Sequence, residues 1–70
     1  MSKRNYKRCN LLREARLAKG FSQEEAARAV GVSPDTWRAW EYGKRIPVLT
    51  NAIKISEVFG ISLGDLLHPS

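Results

Sequence analysis

The stretch that decides the fold is Gln23-Glu24-Glu25-Ala26-Ala27-Arg28-Ala29-Val30-Gly31-Val32-Ser33-Pro34-Asp35-Thr36-Trp37-Arg38-Ala39-Trp40-Glu41-Tyr42. Ser22 stands just before it, and Glu25 follows three residues after that serine. A Ser-x-x-Glu spacing is a capping box, because each side chain can satisfy a backbone N–H left unpaired at a helix start. A helix therefore opens at Ser22, with Ala26, Ala27 and Val30 on its inward face. Gly31 closes it after about eight residues and supplies the positive φ that a tight turn needs. Ser33-Pro34 starts the next helix: serine caps, and proline lacks a donor that would be idle in the first turn anyway. This helix runs to about Tyr42. It turns Trp37 and Trp40, three apart, to the core, and Pro34, Asp35, Arg38 and Ala39 the opposite way.

Outward from this pair the same punctuation continues. Leu12 and Ala15, with Leu11 and Ala18, mark one face of a first helix over about 10–19, ended by Gly20. Gly43 ends the third helix, and Pro47 biases Ile46 to an extended conformation, so 44–47 is a loop. Leu49, Ala52, Ile53, Ser56 and Phe59 trace a fourth helix over about 49–59, closed by Gly60. Ser62-x-x-Asp65 opens a short fifth helix through Leu63, Leu66 and Leu67. Nothing alternates with period two long enough to be a strand. The expected fold is all-α, a compact five-helix bundle. It divides into a basic N-terminal arm over 1–9, a domain over 10–67 and a tail over 68–70.

Composition narrows the function. Seventy residues make one small domain. One cysteine and one histidine exclude a disulfide within the chain and a Cys/His zinc site. No metal, cofactor or small-molecule ligand is expected. At 43% hydrophobic the chain has enough apolar surface to fold. No apolar run approaches the roughly 18–20 residues of a membrane span, and the basic start lacks the apolar stretch of a secretory signal. Membrane association is not expected, and the expected location is the cytoplasm. Acid/base candidates are few, so the chain is not read as an enzyme.

The net charge of +5 is unevenly placed. Residues 1–20 hold seven cations against Glu14 alone, whereas residues 21–70 hold five cations against six acids. Lys3, Arg4, Lys7 and Arg8 form the basic arm, expected to be mobile in the free protein. Such a segment points to a polyanion, nucleic acid before an anionic membrane. The plainer alternative is a solvated terminus.

Two short helices joined by a tight turn containing glycine describe a helix-turn-helix, whose second helix lies in the major groove and reads base edges. On that reading Pro34, Asp35, Arg38 and Ala39 face the bases. The paired tryptophans could instead be stacking platforms for single strands, but their spacing on an apolar face suits core packing better. Cys9 reads as a bystander rather than a redox switch, Arg28 as a solvated cation, and His68 receives no role.

The chain resembles the lambda-repressor-like helix-turn-helix domains, the Cro-type or XRE-type regulators. The segments that carry the resemblance are Leu12-Arg13-Glu14-Ala15-Arg16, Gly20-Phe21-Ser22-Gln23-Glu24-Glu25-Ala26-Ala27, Gly31-Val32-Ser33, Trp40-Glu41-Tyr42-Gly43-Lys44-Arg45-Ile46-Pro47 and Phe59-Gly60-Ile61-Ser62-Leu63-Gly64-Asp65-Leu66-Leu67. It covers about residues 10–67. The resemblance implies a five-helix bundle that binds operator DNA, usually as a two-fold dimer on a palindrome. It implies that Ser22, Gln23, Ser33, Thr36, Lys44, Arg45 and Asn51 lie near the DNA backbone. Gln23 also braces the recognition helix. It further implies an Arg16–Glu41 ion pair tying the first helix to the end of the third, and pairing of chains through the C-terminal region of Ile61, Leu63, Leu66 and Leu67. Trp37 stands where the family prefers Ile or Val, and Ala26 where Leu is usual, which makes room for the indole. Pro34 and Asp35 replace residues that are often Gln, Arg or Ser.

The expected function is a sequence-specific double-stranded DNA-binding regulator, a phage- or plasmid-type repressor, acting without chemistry in a bacterial or phage-infected cell and associated with the nucleoid when bound. Two alternatives use the same fold: a protein-interaction module such as an antitoxin or adaptor, and the DNA-binding part of an enzyme whose chemistry lies on another chain.

Overall fold

The computed structural model describes residues 6–67 and, within them, the side chains of 8–67. Five helices follow in order: α1 Tyr6–Ala18, α2 Gln23–Val30, α3 Pro34–Glu41, α4 Leu49–Phe59 and α5 Leu63–Leu67. There is no strand among the described residues.

The local chemistry of the central pair is as its sequence requires. Ser22 caps α2: its hydroxyl accepts from the Glu25 N–H at 3.0 Å, and its own N–H donates to Glu25 Oε1 at 2.7 Å. Gly31 ends α2 at φ 79°. The Gly31 and Val32 N–H groups then donate back to the Arg28 and Ala27 carbonyls, at 3.1 and 2.9 Å. That pairing closes the helix and needs a left-handed residue between, which glycine adopts without strain. Ser33 caps α3 by accepting from the Thr36 N–H at 3.2 Å, with Pro34 in the first turn.

The core consists of Leu12, Ala26, Ala27, Val30, Trp37, Trp40, Ala52, Ile55, Ile61 and Leu66, with Leu11, Ala15, Phe21, Val32, Val58 and Phe59 packed around it. Trp37 is its centre, fully buried. Its ring lies 5.7 Å from that of Trp40 and 5.4 Å from that of Phe59, and Phe59 meets Phe21 edge-on at 6.1 Å. Aromatic contacts in offset and edge-on geometry add to the area they bury. The tryptophans are core residues rather than stacking platforms. Ala26 and Ala27 are fully buried too, and their small side chains let α2 come close to α3.

Two expectations are corrected. The first helix starts at Tyr6, not near residue 10, so residues 6–9 belong to the bundle rather than to an arm. Arg8 is only 1% exposed and Cys9 is buried, its thiol donating to the Trp40 carbonyl at 3.6 Å. Arg8, Leu12 and Arg16 recur every fourth residue, so α1 turns one continuous face inward, with two of its three members cationic. A cation counts as solvent-facing in a sequence pattern, which hid the extension. Lys3 and Arg4 lie outside the described residues, as do the side chain of Lys7 and the whole of His68. The inward face of α4 is also shifted. Ala52 and Ile55 are buried, whereas Leu49 and Ile53 are exposed. Apolar residues surround most of this helix, so their spacing alone does not choose a face.

Candidate nucleic-acid interface

The outward side of α3 carries Pro34, Asp35, Arg38 and Ala39. Pro34 and Asp35 are exposed, Arg38 and Ala39 half-buried. Beside this face runs an open groove lined by Asp35, Thr36, Ala39 and Trp40 of α3, by Arg45, Ile46 and Val48 of the following loop, and by Asn51 of α4. Five residues singled out in the sequence for base or backbone contact thus meet in one depression: Asp35, Thr36, Ala39, Arg45 and Asn51. Lys44 is exposed in the same loop but does not line the groove. Ser33 and Pro34 sit at the head of α3.

The serines named as backbone contacts are occupied as caps. The Ser22 oxygen holds the Glu25 N–H, and the Ser33 oxygen holds the Thr36 N–H and lies 2.9 Å from the Thr36 hydroxyl. Asn51 sits in the first turn of α4, whose N-cap, Val48, makes no side-chain bond to the helix. Its leading N–H groups therefore have no side-chain acceptor, the arrangement that suits an anion.

Behind the face, one carboxylate braces three helices. Glu41, buried at the end of α3, accepts from Arg16 Nε at 2.5 Å and Nη2 at 3.3 Å, from the Trp37 indole N–H at 2.5 Å, and from Gln23 Nε2 at 3.3 Å. Arg16 also donates to the Phe21 carbonyl at 3.0 Å, which fastens the α1–α2 turn. The paired residues are 12% and 3% exposed at their side chains, so the pair is shielded from solvent and satisfied on both sides. Gln23 reaches on to the Tyr42 hydroxyl at 3.4 Å. Its amide nitrogen therefore faces α3.

Two partners in this region were not singled out from the sequence. Trp37 joins the Glu41 cluster, and the i, i+4 spacing within one helix was a usable signal. Glu24 binds Arg38 across the turn, with Nη2 to Oε2 at 3.0 Å, while Asp35 takes Arg38 Nη1 at 2.9 Å. Glu24 and Arg38 lie on different helices, so no single-helix periodicity relates them.

Residues 12–66 match the sequence profile of the helix-turn-helix family. The chain belongs to that family, in its XRE-type branch of transcriptional regulators. Among curated relatives it is similar to the cryptic phage CTXphi transcriptional repressor RstR of Vibrio cholerae, 30% identical over 59 residues, which are 84% of this chain and 53% of RstR. The chain thus spans about half the length of that repressor. An uncharacterised helix-turn-helix-type transcriptional regulator of Archaeoglobus fulgidus is 44% identical over 55 residues, 79% of either chain. Among solved structures, the restriction-modification controller protein C.AhdI from Aeromonas hydrophila superposes with a TM-score of 0.76 at 33% identity, covering 90% of this chain and 96% of that one. The hydroxypropylphosphonic acid epoxidase from S. wedmorenis superposes at 0.73 and 28% identity over 96% of this chain but 36% of its own. What it shares is a domain-sized part of a longer protein. No helix among the described residues is long and apolar enough to cross a membrane.

Proposed function

We propose that this chain is a sequence-specific double-stranded DNA-binding repressor that reads the major groove with α3, and that it acts without catalysis. The observation that carries the reading is the groove beside α3, where the outward residues Asp35, Thr36 and Ala39 meet Arg45 and Asn51. A helix laid in the major groove brings its outward residues to base edges. The loop cation and the start of α4 then fall to the flanking phosphates, which position the protein without choosing sequence. Arg38 supplies the long donor for a guanine. Pro34 and Ala39 offer apolar contact, and Asp35 can accept from a cytosine amino group. Ser22, Gln23, Ser33, Thr36, Lys44, Arg45 and Asn51 make the backbone set, joined by Lys3, Arg4 and Lys7 from the N-terminal segment. Arg8 is withdrawn from that set by its burial.

On DNA the chain acts as a homodimer on a palindromic operator, in the cytoplasm and on the nucleoid. Support comes from apolar side chains left at the surface near the C-terminus. Ile61 and Leu66 plug the core, whereas Leu63 and Leu67 are each 37% exposed. Exposed apolar groups on a small domain suit a second copy.

A second reading, a protein-interaction module, is favoured by one observation: the two acids Glu24 and Asp35 on either side of Arg38. Selection from random duplexes decides between them. An enriched, palindromic motif supports the repressor, and absence of any duplex preference at moderate salt transfers the case to the interaction module.

A further inference from the structure

Arg38 stands between two carboxylates. Its Nη1 donates to Asp35 Oδ1 at 2.9 Å, one turn earlier in α3, and its Nη2 donates to Glu24 Oε2 at 3.0 Å, across the turn in α2. Each terminal nitrogen that would approach the O6 and N7 of a guanine is thus already engaged by the protein. The three groups together carry one net negative charge, on the side of the molecule that would approach phosphates. Neither acid is held there by burial: the Glu24 side chain is 56% exposed and that of Asp35 is 95% exposed. Exposed pairs of this kind are weak and open readily. Arg38 is released when a ligand offers acceptors good enough to replace both carboxylates. A guanine edge does so, with two acceptors in one plane. A base pair without them leaves the guanidinium on the protein with both carboxylates still paired.

We infer that Glu24 is an internal competitor for Arg38: with Asp35 it holds the guanidinium on the protein, so a guanine must displace both carboxylates before Arg38 reads it. This rests on α3 being the base-reading helix. Its effect is to weaken binding to duplexes that carry guanine at the Arg38 position, because only there are the two contacts given up. Asp35, one turn away, orients the guanidinium, and Glu24 supplies the acceptor from the neighbouring helix.

The test compares the wild-type chain with Glu24→Gln and with Glu57→Gln, the latter a charge loss on the exposed side of α4. Each is titrated with the duplex selected by the wild type and with the same duplex lacking the guanine pairs. Glu24→Gln is expected to tighten the selected duplex by ~2–5-fold more than the guanine-lacking one, the range an exposed pair supports. Glu57→Gln should leave the ratio unchanged. Repeating Glu24→Gln in an Arg38→Ala background should abolish the differential, because the two residues act through one contact. An equal shift on both duplexes, or the same differential without Arg38, reduces Glu24 to a general repulsive charge and overturns the inference. A wild-type chain with no duplex preference overturns the base-reading role and the competition together. A preferring wild type with an unchanged ratio in Glu24→Gln overturns the competition alone.

Discussion

Arg16 and Glu41, 25 positions apart, meet through two guanidinium nitrogens, Nε to Oε2 at 2.5 Å and Nη2 to Oε1 at 3.3 Å. This contact ties α1 to the end of α3, so it fixes the angle at which the proposed reading helix leaves the body. The Trp37 indole and the Gln23 amide share the same carboxylate, which leaves Glu41 well supplied with donors.

Glu41→Ala should therefore destabilise the fold strongly. It strands the Arg16 cation and the Trp37 N–H away from water, a cost of about 3–5 kcal/mol for a buried pair. Glu57→Ala, on the exposed side of α4, should cost little. Thermal melts of both variants check this, and equal small shifts would remove the pair from the account of stability.

Gly31→Ala isolates a backbone effect. A Cβ built at Gly31 would approach nothing nearer than Lys54 Nζ at 3.8 Å, so no clash arises. The left-handed conformation at φ 79° still disfavours an L side chain, by about 1–2 kcal/mol. Urea unfolding should show a lower midpoint with an unchanged slope. Gly31→Asn should lose less, because asparagine tolerates this region.

Arg38 and Lys44 should fail differently. Arg38→Ala is expected to flatten preference at one base pair per half-site, a loss of about 1–3 kcal/mol in discrimination. Lys44→Ala is expected to weaken every duplex alike and to reduce the slope of log K against log salt by about 0.9. A motif selected by Arg38→Ala that matches the wild-type motif would show that another residue reads the base.

The burial of Arg8 divides the basic segment into two parts with separate effects. Removing residues 1–5, which include Lys3 and Arg4, should weaken all duplexes and make the salt dependence shallower by about 0.9 for each phosphate no longer neutralised. Removing residues 1–8 should also lower stability, since it takes the first turn of α1 and its buried arginine. Binding titrations over a salt series, run beside melting curves, separate the two effects.

At the C-terminus, Leu67→Glu should leave the monomer folded and reduce two-chain occupancy of the operator, because Leu67 is 37% exposed. Leu66→Ala should instead destabilise the monomer by about 2–5 kcal/mol, because Leu66 is fully buried. Sedimentation of the operator complex checks the first. One chain per saturated operator in the wild type would contradict the dimer.

The sequence alone determined where the helices begin and end between Gly20 and Gly60. Ser22 with Glu25, Gly31 before Ser33-Pro34, and Gly43 each act within about one turn of chain. Their backbone bonds form in the same way wherever the helices pack. It also marked the outward face of α3, because two tryptophans on one side fix which way a short helix turns. The Arg16–Glu41 contact was legible only through the family resemblance, since nothing local relates residues so far apart. Tertiary structure alone decided the rest. It drew Arg8 and Cys9 into the bundle, chose Ala52 and Ile55 over Leu49 and Ile53 as the inward face of α4, and set Glu24 against Arg38. These outcomes depend on where one helix crosses another. A cation buried by a neighbour, or an acid supplied from the next helix, has no periodicity within its own segment by which to be recognised.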